Sequence, residues 1–192
     1  MTTTVTAIKL FGILFLLTGL IYPCAVLLIA MNAFPEASHG SLITNDNGTV
    51  IGSLLIGQNF TLPRYFQGRP SATPGSAYNA SASGGSNLGP TNPVLVGQVA
   101  SRAQTLQQQH GIVGPIPSDL VMSSGSGLDP HISLEAALLQ VPIIAQERSV
   151  PEEDLRNLVL AETTWNPAPF GQPYVNVMRL NIALDRNYGR SR

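Results

Sequence analysis

Ser123-Ser-Gly-Ser-Gly127, followed by Asp129-Pro130-His131, is the stretch whose residue types come nearest to nucleophilic catalysis. With Ser126 as nucleophile, His131 as base and Asp119 as orienting acid, such a trio would perform acyl transfer. The turn that exposes a serine of that kind needs Gly-x-Ser-x-Gly, and Ser124 stands where the first glycine belongs. A turn leading into a helix explains the same residues more simply: the glycines permit the bend and Asp129 caps it. A second candidate is Ser83-Gly-Gly-Ser86, whose consecutive backbone N–H groups could face an anion. Ser83, Gly84, Gly85 and Ser86 are therefore the anion or nucleotide candidates, with a ligand-free turn as the plainer reading. His39, His110 and His131 lie far apart and none pairs with another ligand at helical spacing, so no metal site is expected.

The missing motifs narrow the chemistry further. The one lysine, Lys9, lies too near the start for a phosphate-binding loop ending in Lys-Ser or Lys-Thr. No Asp-Lys-Thr-Gly supplies a phosphorylatable aspartate, and no Thr-Val-Gly-Tyr-Gly supplies an ion filter. No catalytic residues are assigned.

The elements that must position these residues divide by composition. Charged residues make up 11% of the 192, against about 25% in an ordinary soluble domain, and the net charge of −1 excludes a basic nucleic-acid binder. Residues 10–34 form one uncharged apolar run. As a helix it would be about 37 Å long, enough to cross a hydrocarbon core of about 30 Å. It is too long for a cleaved signal, and Ala30 and Ala33 lack the exit spacing. A retained anchor is expected, kinked near Gly19–Pro23, with Gly12 and Gly19 small enough to admit a neighbouring helix. Lys9 before the span, with no Lys or Arg after it until Arg64, puts residues 1–9 in the cytoplasm and residues 35–192 outside. Cys24 is the only cysteine, so no disulfide can staple the outer part.

Residues 35–192 are expected to form a single α+β domain. Ser41–Thr44 and Thr49–Ile56 flank Asn47-Gly48 as a hairpin. Residues 68–93 carry Gly, Pro, Ser or Asn at 17 of 26 positions, a linker composition within a loop at 61–93. Tyr65, Phe66 and Tyr78 give that loop aromatic anchors, and Arg64 and Arg69 offer forked donors to carbonyls or carboxylates. Three helices follow. The first is capped by Asn92, ends at Gly111 and is lined by Leu95, Val99, Arg102 and Leu106. The second runs over 134–147 with Leu134, Leu138, Val141 and Ala145 on one face and a bend after Val141. The third opens on a Ser149–Glu152 capping box and buries Leu155, Leu158 and Val159. Tyr174–Leu180 reads as a closing strand.

Six strings in order carry a resemblance: Gly52–Phe60; Tyr65-Phe66 with Gly68–Ala72; Tyr78-Asn79; Ser83–Pro93; Asp119–Val121 with Ser124–Ile132; and Val175–Val177 with Leu180–Asp185. Following one N-terminal span, they closely resemble the C subunit of the Kdp-type potassium-transporting ATPase over nearly the whole chain. The resemblance implies a non-catalytic subunit of a membrane complex for ATP-driven potassium uptake. Its partners would be a potassium-selecting channel-like subunit, a P-type ATPase subunit, a small single-span subunit and membrane lipid. It implies roles in assembly and as a catalytic chaperone raising the pump subunit's affinity for ATP, the one cofactor suggested. Glu162–Gly171 holds no Gln, where this family's nucleotide handling has been linked to one; Thr164 and Trp165 stand there instead, and core packing would account for Trp165. Arg64, Tyr65, Phe66, Arg69 and Tyr78 are the partner-interface candidates. The competing classes are a membrane-anchored extracytoplasmic binding module and a serine hydrolase built on Ser126.

Overall fold

The computed structural model describes residues 2–45, 47–110, 112, 114–165 and 171–189, with the backbone alone for residues 109 and 110. The chain divides into a unit of Met1–Ile51 and a unit of Gly52–Arg192.

The first unit is dominated by helix α1, Thr2–Ala33, 32 residues with none buried. At about 1.5 Å per residue it is about 48 Å long. Its length and apolar surface fit membrane anchoring, since water would not tolerate so much uncovered hydrocarbon. Where a kink is expected near Gly19–Pro23, the helix forms a π-helical turn over Leu17–Ile21, and the Tyr22 N–H reaches back five residues to Leu17 O. Pro23 explains it: the ring has no N–H and crowds the carbonyl four residues earlier, so the ladder loosens just before it. The short helix α2 (Pro35–Ser38) and strands β1 (Leu42–Thr44) and β2 (Val50–Ser53) follow. The hairpin forms, but its second strand stops at Ser53 instead of Ile56, and of Asn47-Gly48 only Gly48, among the described residues, takes a positive φ, 75°. Asn45 adds a local clasp, its Oδ1 accepting from the Thr49 N–H at 2.8 Å.

The second unit packs helices against a small antiparallel sheet. Its elements are α3 (Pro93–His110), α4 (Ser118–Val121), β3 (His131–Ser133), α5 (Leu134–Arg148), α6 (Glu152–Ala161), β4 (Thr163–Thr164), β5 (Tyr174–Asn176) and α7 (Val177–Tyr188). The strand order is β3-β5-β4, with Ile132 opposite Val175 and Thr163 opposite Val175. Those inward side chains join Ala136, Val141 and Ile144 of α5, Leu155 and Val159 of α6, and Leu180 and Leu184 of α7 in one core.

Several local expectations hold. Asn92 caps α3, its Oδ1 accepting from the Val94 N–H at 2.9 Å. Leu95, Val99, Arg102 and Leu106 are the half-covered face of that helix, and Leu155, Leu158 and Val159 are buried in α6. The helix end predicted at Gly111 lies outside the described residues.

Others are corrected. Tyr174–Leu180 is strand only as far as Asn176. There the Asn176 side chain accepts from the Arg179 N–H at 3.1 Å and starts α7. Val177, Leu180, Asn181 and Leu184 then bury at helical spacing, which outweighs the alternation of Val175 and Val177. The Ser149–Glu152 capping box does not form. Ser149 is used to stop α5 in the left-handed backbone region (φ 55°), so α6 begins after Pro151 without a side-chain cap. Asp129 does not cap α5. A strand intervenes, and Ser133 caps the helix, accepting from the Ala136 N–H at 3.1 Å. The buried face of α5 is Ala136, Ala137, Gln140, Val141, Ile144 and Ala145; it includes Val141 and Ala145 of the predicted face, while Leu134 and Leu138 pack half-buried at its edge.

Candidate functional site

The loop is fastened to the rest of its unit at several points between residues 65 and 84, despite a composition suited to a linker. Phe66 is fully buried, and the peptide groups of residues 66 and 67 are held by two helix side chains. Asn181 of α7 accepts from the Phe66 N–H at 2.9 Å and donates to Phe66 O at 2.9 Å. Gln140 of α5 treats Gln67 the same way, at 2.7 and 3.2 Å. Each primary amide thus pairs with one backbone residue as a neighbouring strand would.

Tyr65 lies beside this clamp. Its hydroxyl donates to Asp185 Oδ2 at 3.0 Å, and the Arg148 guanidinium lies 4.8 Å over its ring. The Arg64 guanidinium approaches the same ring at 5.7 Å. The Arg148 side chain, 1% exposed, also bonds Asp185, Arg64 O and Gly189 O at 2.8 Å each.

Arg69 and Tyr78 meet at a second point. The Tyr78 hydroxyl donates to Arg69 O at 2.5 Å, and Arg69 Nη1 reaches Asp129 Oδ2 at 3.4 Å. Asp129 also accepts from the His131 N–H at 3.0 Å and faces His131 Nδ1 at 3.3 Å. Asn176 Nδ2 contacts His131 Nε2 at 3.4 Å, which fits the tautomer carrying its proton on Nδ1. Burial pushes the Asp129 carboxyl up, but the hydrogen bonds from His131 and the Arg69 charge outweigh it and hold the group below its usual range. Its contribution to stability is therefore present above the unfolded carboxyl range and is lost as pH falls below about 3.8 and through the folded value.

The Tyr78 phenol is pushed up to about 12, chiefly by burial and then by Asp129, against the opposing charge of Arg69. The unfolded phenol releases its proton near pH 10, so folding stability should fall as pH rises from there toward 12. Ultraviolet titration of the folded chain should show a late phenolate step at about 12 that Tyr78→Phe removes, apart from the Tyr188 phenol, which burial and Asp154 also raise.

The two serine- and glycine-rich segments meet each other. The Gly84 N–H donates to Ser126 O at 2.8 Å, and Ser83 Oγ to the same oxygen at 3.0 Å. A Cβ at Gly127, where φ is 67°, would stand 2.6 Å from Gly84 O. Gly127→Ala should therefore cost about 1–3 kcal/mol, read as a lowered midpoint in urea unfolding of the detergent-solubilised chain.

Among the described residues, no hydrogen bond joins Ser126 to His131 or His131 to Asp119. The Ser126 hydroxyl accepts from the Leu128 N–H at 3.1 Å, and Asp119 accepts from the Ser133 N–H. The geometry thus lacks the nucleophile–base contact of a hydrolase. No group of three or more His, Cys, Asp or Glu side chains among the described residues is placed to hold a metal ion. Trp165 is 63% exposed, so it does not pack on the core as suggested from its sequence setting. Residues 166–170 of that glutamine-free stretch lie outside the described residues.

Two clefts meet at Arg69. One, about 320 Å³, includes Asp119, Asp129, His131 and Tyr174. The other, about 270 Å³, lies between the loop and α3 and includes Arg102, whose Nη1 donates to Val121 O at 2.9 Å. Arg69 Nε is buried without a hydrogen-bond partner among the described residues. Such an array of guanidinium, amide and hydroxyl donors suits a carboxylate or another oxyanion. Sequence reasoning placed Arg102 on the covered face of α3 but missed Arg148, Gln140 and Asn181. Their signal is a long polar side chain inside an apolar helical stripe.

A sequence model of KdpC, described as the K+-transporting ATPase c chain, matches residues 4–186. A potassium-transporting ATPase KdpC subunit from Methanosphaerula palustris is 52% identical over 179 residues, covering 93% of this chain and 94% of its own length. The KdpC subunit of Dechloromonas aromatica is also 52% identical, over 181 residues and the same shares of each chain. That of Geobacter sulfurreducens is 48% identical over 180 residues, covering 93% of this chain and 95% of its own. With an apolar N-terminal rod and a mixed helix–sheet unit behind it, the chain belongs to the KdpC family, the c chains of K+-transporting ATPases.

Proposed function

We propose that this chain is a non-catalytic accessory subunit of an ATP-driven potassium uptake complex, holding the assembly together and acting as a catalytic chaperone for the ATP-hydrolysing subunit. Its partners are a potassium-selecting channel-like subunit, a P-type ATPase subunit and a small single-span subunit, with lipid around the anchor and no nucleic acid. The observation that carries this reading is family membership over residues 4–186. The absence of any nucleophile–base pair among the described residues around Ser126 favours it over the hydrolase reading, and an anchored binding module would not by itself account for the family match.

The anchor crosses the inner membrane with its N-terminus in the cytoplasm and its domain outside. Lys9, near the helix start, supports that direction, since cations favour the cytoplasmic flank. A domain on the outer side cannot touch cytoplasmic ATP. The chaperone effect then reaches the pump subunit through the assembled complex, and Ser83–Ser86 serve packing instead of nucleotide binding. Arg64, Tyr65, Arg69 and Tyr78 shape the docking face, with Phe66 as its internal anchor. Protease added to cells with a permeabilised outer barrier and an intact inner membrane should remove the domain. Protection until the inner membrane is lysed would reverse the orientation.

A further inference from the structure

Among the described residues of the second unit, Arg102 is a half-buried cation with no acid beside it. Arg69 is neutralised by Asp129, and Arg148 by Asp185. Arg102 has a carbonyl contact but, among the described residues, no carboxylate within ion-pair distance. Burial lowers its pKa, as expected for a charge partly removed from water with no acid nearby. The cleft beside it has Phe60 and Leu120 as apolar walls and Asn59, Arg69 and Thr105 as polar ones. At about 270 Å³ it lies below the size of ordinary ligand pockets, about 300–1,000 Å³, and suits a side chain better than a nucleotide.

The surrounding helix points to a protein as the source. Across its 18 residues α3 carries one charged side chain, Arg102, with exposed Val94 and Val96 among Gln, Ser and Thr. A solvated helix usually carries charges on its outer face. Depletion of charge around a single arginine is the composition of an interface core.

We propose that this cleft receives an Asp or Glu side chain from another subunit of the complex, paired with Arg102 and supported by Arg69. The inference rests on the subunit reading above and gives its docking face a recognition chemistry. A forked guanidinium matches a carboxylate in two parallel hydrogen bonds, which a lysine cannot reproduce.

The test uses the full chain in its complex, isolated in mild detergent. A benzophenone probe is attached at Ser101→Cys in a Cys24→Ser background, beside the cleft. Irradiation should give an adduct with a peptide of another subunit that contains an acid. Arg102→Glu should lower co-isolation by about tenfold or more, Arg102→Gln by less, and reversing the mapped acid to Arg should restore recovery with Arg102→Glu. Adducts confined to this chain, or recovery of both Arg102 variants within twofold of the parent, would overturn the proposal. So would loss of the adduct in millimolar acetate without loss of assembly, which would mark a free-anion site. If Arg102→Glu proves misfolded by circular dichroism, the adduct and Arg102→Gln decide the matter. If the unsubstituted chain elutes alone, the underlying subunit reading fails instead.

Discussion

Replacing Arg148 by alanine should lower the stability of the second unit by about 3–5 kcal/mol. The reason is the burial of this cation. Its side chain is 1% exposed, and three oxygen partners 2.8 Å away answer its donors. Those partners lie on different parts of the chain: Arg64 in the loop, Asp185 on α7, and Gly189 beyond it. The Tyr65 ring closes the remaining side at 4.8 Å. Removal takes the Arg148 charge from Asp185, a carboxylate only 18% exposed. Urea unfolding of the detergent-solubilised chain, followed by circular dichroism, should show a lower midpoint. Arg148→Lys should recover only part of the loss, because a point charge cannot meet all of these partners at once. A midpoint unchanged in Arg148→Ala would mean that the cluster contributes little.

The second large effect should come from Asn181. Asn181→Ala removes both partners of the Phe66 peptide, leaving a buried N–H and C=O with nothing to bond, at a cost of about 2–4 kcal/mol. Asn181→Asp separates the two contacts: it keeps the acceptor for the N–H and loses the donor to the carbonyl. Gln140→Ala should act in the same direction on Gln67, since Gln140 is 1% exposed. Each change should loosen the segment that begins at Arg64. Trypsin would then cut after Arg64 faster than in the parent, while the Arg69–Pro70 bond resists in both. Equal cleavage rates in parent and Asn181→Ala would show that the clamp is not what holds the segment.

These two sites also mark the limit of what the sequence makes legible. Several elements set by near neighbours read correctly, although the Ser149–Glu152 capping box, equally local, does not form. The hairpin turn, the Asn92 cap and the apolar stripe of Leu155, Leu158 and Val159 each depend on residues within one or two turns. The last helix was missed because Val175-Asn-Val-Met-Arg-Leu180 satisfies both periods, and Asn176 as a cap decides between them. Composition alone gives the loop a linker's character because its fastenings are distant. Gln140 meets Gln67 across 73 positions, and Asn181 meets Phe66 across 115. No local pattern announces such a contact, although a polar amide inside an apolar helix face hints that one exists. The same holds at the candidate site. Residue type singles out Arg69 and Tyr78, yet their partners, Asp129 for Arg69 and the Arg69 carbonyl for Tyr78, become visible only in the fold. Arg102 was placed on the covered side of α3, but its lack of an acid partner is a property of the folded unit.

Isolation of the tagged full chain from its native membrane in mild detergent tests the central claim most directly. The chain should elute in one complex with multi-span subunits, and that complex should carry potassium-dependent ATP hydrolysis. Elution alone, with the potassium-dependent activity in fractions that lack it, would contradict the account.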